Sequence, residues 1–160
     1  MAAVVLVDGY NVVLCDPELA SKAQEELGRA RHALLALISG AGVNARVWFD
    51  ARFPGSLEAD DARQERVGRA LGLFAHGRSA DDELRREVAR AGRGVVLVTS
   101  DIELADWARG SGAVIVPSDE FLARLRSRRG GGDKSKAGAE GVDVDDWAEW
   151  FSFSPEDLGD

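Results

Sequence analysis

The sequence predicts an α/β fold with a central, mainly parallel five-stranded sheet, and three observations carry that expectation. Short apolar, β-branched runs alternate with longer amphipathic stretches, the pattern of buried parallel strands covered by helices. Three of those runs lead into an aspartate, at Asp8, Asp50 and Asp101. The chain has 160 residues, 45% of them hydrophobic, which suffices for one sizeable core and makes a single domain the default.

The first strand is Ala3 to Val7, followed by Asp8-Gly9. Asp16 and Pro17 then supply an N-cap and a first helical position for a helix that places Leu27, Leu34 and Ile38 on one face and ends at Gly40 and Gly42. Ala45 to Phe49 and Ala70 to Ala75 read as the second and third strands. Ser79-Ala80-Asp81-Asp82 fits a capping box that opens a helix through Leu84 and Val88 to about Ala91. Val95 to Thr99 is the fourth strand, a short helix runs from about Ile102 to Arg109, and Val114 to Val116 is the fifth strand. A last helix begins after Pro117, carries Phe121, Leu122 and Leu125, and leads into the basic cluster Arg124, Arg126, Arg128 and Arg129. Trp48 and Trp107 are assigned to packing, and Cys15 to a small apolar filler.

Composition divides the chain. Residues 1–129 form the expected domain, 130–141 a Gly, Lys, Ala and Ser-rich linker, and 142–160 an acidic aromatic tail. The formal charge is −8, yet residues 130–160 hold 9 acidic and 2 basic side chains, so the acidity belongs mainly to the tail. A simple basic coat for nucleic acid is excluded. Trp147, Trp150 and Phe151 fall at helical spacing in the tail, and a short helix would present them together to a protein partner or back to the domain. The tail is also suited to fold onto the Arg cluster and compete with an anionic ligand there. One cysteine allows no intrachain disulfide, and no basic leader or bilayer-length apolar run is present, so a soluble cytoplasmic protein without membrane contact is expected.

Asp8, Asp50 and Asp101 lie where parallel strands end, and ligands of open α/β sheets bind outside those ends. Asp81 falls in the first turn of the helix after the third strand. Singly, each reads as a turn, a cap or an acid favoured by the helix dipole. Together they read as a cation site, because gathered carboxylates repel and raise one another's pKa unless a cation sits among them. All-oxygen donors point to Mg²⁺ or Mn²⁺, and the isolated His32 and His76 suggest no zinc.

The blocks Leu6-Val7-Asp8-Gly9-Tyr10-Asn11-Val12, Val47-Trp48-Phe49-Asp50, Ser79-Ala80-Asp81-Asp82 and Val98-Thr99-Ser100-Asp101, in that order, resemble the NYN branch of PIN-like nucleases, specifically the bacterial YacP type. The resemblance covers residues 1 to about 128. It implies a PIN-like three-layer α/β/α sandwich and a metal-dependent endoribonuclease that acts in RNA turnover. Asp8, Asp50, Asp81 and Asp101 would form its Mg²⁺ or Mn²⁺ site, with Asn11 on the same rim as a catalytic or substrate-contacting residue and Ser100 beside it. Some relatives of this type are associated with ribosomes and translated messages, so single-stranded mRNA or rRNA is the implied partner. The Arg-rich stretch containing Asp60-Asp61 departs from the pattern, as does the tail.

Arg52 and Arg78, next to the rim in sequence, are candidates for holding substrate phosphates, with Arg46 a weaker one because it begins a strand. Arg126 and Arg128 are candidates for tracking an RNA backbone, against the reading of a solvated helix end. The alternative to an enzyme is a catalytically silent PIN-like module that binds RNA or protein. Other classes fit poorly. A receiver domain needs a Lys at its last strand end, where Val116-Pro117-Ser118 stands, and a haloacid-dehalogenase-like phosphatase needs Asp-x-Asp where Asp8-Gly9-Tyr10 stands. Gly132-Asp133-Lys134-Ser135 lacks both the Gly and the strand of a P-loop.

Overall fold

The computed structural model describes residues 4–50, 64–75, 79–91 and 94–129. In chain order these form β1 (Val4–Asp8), α1 (Gly9–Leu14), α2 (Pro17–Glu25), α3 (Leu27–Gly40), β2 (Ala45–Asp50), β3 (Gln64–Val67) and β4 (Ala70–Ala75). There follow α4 (Ala80–Ala91), β5 (Val95–Val98), α5 (Ile102–Gly110), β6 (Val114–Val116) and α6 (Ser118–Arg129). The strands make one sheet in the order β3-β4-β2-β1-β5-β6, parallel throughout except where β3 runs against β4.

Alternation along the strands builds the three layers. On β1, Val5 and Val7 enter the larger core with Leu34, Leu35 and Ile38 of α3 and Phe121 and Leu125 of α6. Leu6 points the other way, to Leu84 and Val88 of α4 and Leu104 and Ala108 of α5. Strand β5 repeats this, Val96 and Val98 facing the first core and Val95 and Leu97 the second. Strands buried on both faces must be apolar at every position, which is why these runs are continuous in the sequence.

The sheet has six strands among the described residues, one more than expected. The addition is β3, joined to β4 by Gly68 and Arg69, with Gly68 at φ +56 as a two-residue hairpin requires. Its residues Gln64-Glu65-Arg66-Val67 are exposed or half-buried, so the edge strand carries no apolar signature, and its charges discourage pairing with other chains. The long helix expected from Asp16 to Gly40 is two helices, because Glu26 adopts an extended conformation (φ −160, ψ 118) between α2 and α3. The break is cheap in hydrogen bonds, since the Glu26 amide still donates to the Lys22 carbonyl and its own carbonyl accepts from the amides of Arg29 and Ala30.

Helix α1 also departs from the expected turn. It starts directly from β1 because Gly9 has no side chain: a Cβ there would lie 2.5 Å from the Phe49 ring and 2.8 Å from the Trp48 carbonyl oxygen. Cys15, expected as an apolar filler, is instead exposed at the end of α1. The capping box at α4 forms, the Asp82 amide donating to Ser79 Oγ at 3.0 Å and the Ser79 amide to Asp82 Oδ2 at 3.3 Å. No helix among the described residues is long and apolar enough to cross a membrane. The proposed linker and the tail with Trp147, Trp150 and Phe151 lie outside the described residues, as do Arg52, Arg78, Asp60, Asp61 and His76.

Candidate active site

Strands β1 and β5 are neighbours, but β1 leads to helices on one face and β5 to helices on the other, so the crevice between their carboxyl ends is the topological switch point of the sheet. Asp8 ends β1 and Asp101 follows β5, which puts both at that crevice. Asp50 ends β2, the other neighbour of β1, in the register that pairs Asp8 with Trp48. Asp81 enters from the first turn of α4. Sheet topology thus delivers four carboxylates, distant in the chain, to one rim.

A polar network orders the rim. The Asp101 amide donates to Thr99 Oγ1 at 3.1 Å, so the hydroxyl hydrogen of Thr99 is directed to its other partner, Asp8 Oδ2, at 3.0 Å. Thr99 is buried, which fixes this arrangement. Asp101 caps α5 by accepting the Leu104 amide on Oδ1 at 3.1 Å. Arg85 Nε donates to Asp81 Oδ1 at 2.6 Å, and the same guanidinium lies 5.1 Å from the centre of the Trp107 ring. Asn11, on α1, accepts on Oδ1 from the Ser100 amide at 2.9 Å and from the Ser118 hydroxyl at 2.7 Å. Ser118 also donates its amide to Ser100 Oγ at 3.0 Å.

Burial pushes the Asp8 carboxyl up to about 6, against the pull of the Thr99 hydroxyl, and the charges of Asp101, Asp81 and Asp50 push the same way. The acids are close enough to repel. Among the described residues, however, no three acidic, His or Cys side chains stand at the spacing of a closed metal site. Asp101 is engaged by the Leu104 amide of its helix and Asp81 by Arg85. In donor chemistry the rim fits a hard divalent cation, since every acid offers oxygen and, among the described residues, no cationic side chain lowers the Asp8 carboxyl. Asp8, Asp50, Asp81 and Asp101 are the residues that would hold it.

The basic candidates fare differently. Arg126 forms a two-pronged pair with the buried Asp16, at 2.6 and 2.9 Å, and reaches Glu18 at 3.3 Å. Arg124 pairs with Glu120, and Arg46 lies with Nε 3.1 Å from both oxygens of Glu87, which also accepts from the Trp48 indole. Arg128 stands in the last turn of α6. The structure also brings in Thr99 and Ser118, which sequence reasoning did not single out. A hydroxyl next to a strand-end acid was the available signal for Thr99; Ser118 had none, lying 107 residues from its partner Asn11.

Comparison with known proteins agrees with this architecture. The model of the YacP-like NYN domain matches residues 5–141. The crystal structure of Rae1 (YacP) from Bacillus subtilis, 22% identical, superposes with a TM-score of 0.60 over 92% of this chain and 93% of that one. A point mutant of the same Bacillus subtilis protein, 20% identical, gives 0.64 over 98% and 97%. At these identities the likeness shows a shared fold. No curated protein sequence matches the chain. Because the family match runs from β1 past the end of α6, this chain belongs to the YacP-like NYN domain family.

Proposed function

We propose that this protein is a metal-dependent endoribonuclease that hydrolyses phosphodiester bonds of RNA at the rim of Asp8, Asp50, Asp81 and Asp101. Membership of a nuclease family with an RNA-related function supports this reaction class. The observation that carries the site is the half-buried Asp8 carboxyl at the switch point, pushed up to about 6 by desolvation and by three other carboxylates. When bound there, Mg²⁺ or Mn²⁺ supplies positive charge for the scissile phosphate and activates water for attack. Asp8 and its three neighbours hold the cation, Thr99 keeps the Asp8 carboxyl oriented, and Asn11 with Ser100 faces the substrate. Arg52 and Arg78 hold flanking phosphates, and Arg128 extends the basic track along α6 beyond Arg126, which Asp16 engages. The substrate is single-stranded mRNA or rRNA, with the ribosome as its setting, RNA turnover as its role and the cytoplasm as its compartment.

The spacing of the acids favours one competing reading, a catalytically silent module that binds RNA. Cleavage of 5′-labelled single-stranded RNA with Mn²⁺, with Mg²⁺ and with chelator, comparing wild type with Asp101→Asn, separates the two. Internal cuts that need metal and vanish in the variant are expected. Binding without cutting, unchanged in the variant, assigns the silent module.

A further inference from the structure

We infer that Ser118 is a positioning residue: it locks the Asn11 carboxamide so that Nδ2 donates to a phosphate oxygen of bound RNA. The inference rests on the RNA-directed reading above and adds to it a residue, an atom and a direction of donation. Its starting point is an atom assignment that needs no assumption. The Ser100 backbone amide, 2.9 Å from the Asn11 side chain, can only donate, so the atom facing it is the carbonyl oxygen Oδ1.

With Oδ1 fixed, the Ser118 hydroxyl at 2.7 Å from the same oxygen must also donate. Ser118 is fully buried, and its amide donates to Ser100 Oγ at 3.0 Å, so the start of α6 is tied to the loop after β5 on both sides of Asn11. Two donors on one oxygen hold the amide plane. The planar group then directs Nδ2 along the opposite branch, and among the described residues Nδ2 has no hydrogen-bond partner. Asn11 is only partly buried and sits one helical turn after Asp8, on the rim where the backbone of a substrate would pass. A neutral, preoriented donor suits an anionic oxygen at a place where a cationic side chain would compete with a metal for the carboxylates.

The test is a binding cycle in chelator, where nothing is cut. Fluorescence polarisation of a short labelled single-stranded RNA is measured for wild type, Ser118→Ala, Asn11→Ala and the double variant. Losing the orientation of one hydrogen bond predicts an affinity ~5-fold weaker for Ser118→Ala, and a double variant no weaker than Asn11→Ala. Asn11→Asp supplies a second reading without disturbing Ser118: both accepted bonds persist while the donor becomes an anionic oxygen, so affinity falls at least ~10-fold at a temperature where the variant remains folded. Wild-type affinity in Ser118→Ala or Asn11→Asp overturns the inference, as does an equal Ser118→Ala loss in the Asn11→Ala background or a wild type that does not bind RNA. Coupled binding with no metal-dependent cutting leaves the inference standing and ends the nuclease proposal. Metal-dependent cutting without coupling ends the inference alone.

Discussion

Asp8 and Asp16 flank the short helix α1 and precede α1 and α2 respectively, yet their surroundings are opposite. Asp16 is buried beside a guanidinium: Arg126 grips both its oxygens, the Leu19 amide donates to it, and the hydrogen bond from Arg126 holds its carboxyl below the usual range. Asp8 is raised to about 6 by burial and by Asp101, Asp81 and Asp50. One carboxylate is complete within the chain and pins α2 to α6. The other has no cationic side chain beside it among the described residues, and a raised carboxyl at a switch point marks a candidate place for ligand chemistry.

Three substitutions sharpen the contrast. Asp8→Asn is expected to abolish metal-dependent RNA cleavage, by ~1000-fold or more in initial rate, because it removes the central ligand. The same variant in chelator is expected to be more stable than wild type at pH 7.5, by no more than ~3 kcal/mol in urea unfolding. The sign follows from a folded pKa of about 6 above the ordinary 3.8: the folded state holds this proton more tightly, so metal-free stability declines as pH rises from about 4 to about 6, and Asp8→Asn removes that decline.

Asp16→Ala should act in the opposite sense, costing ~2 kcal/mol of stability from the lost cap and the lost ion pair, with RNA cleavage retained below its lowered melting temperature. Because Arg126 holds the Asp16 carboxyl low, that contribution is present above about 4 and fades as pH falls through the depressed value, a dependence Asp16→Ala should lack. Arg126→Lys loses the two-pronged geometry but keeps the charge, and a loss of ~0.5–1 kcal/mol in thermal unfolding is expected. An Arg126→Lys effect on RNA affinity larger than its effect on stability would show that this side chain leaves Asp16 to meet RNA.

Much of this was legible in the sequence where physics leaves few choices. Strands β1 and β5 lie between two layers of helices and had to be apolar, and an aspartate after such a run stands out. The capping box of α4 is a local pattern and was read as one. What escaped depends on tertiary approach. Strand β3 is a charged edge whose partner, β4, alone makes it a strand, and α1 exists because Gly9 lets the chain turn into a helix against Phe49. The basic end of α6 is visible in the sequence, but the pairing of Arg126 with Asp16 is not, since 110 residues separate the two. Ser118 is an unremarkable serine until the fold sets it against Asn11.

The most direct test of the central claim, that the Asp8 rim is completed by a divalent cation, is calorimetric titration of Mn²⁺ and Mg²⁺ into the full-length wild type and Asp8→Asn at pH 7.5. The account predicts saturable binding by the wild type, accompanied by a rise in melting temperature, with both lost in Asp8→Asn. Absence of binding in the wild type, or equal binding by the two proteins, would contradict it.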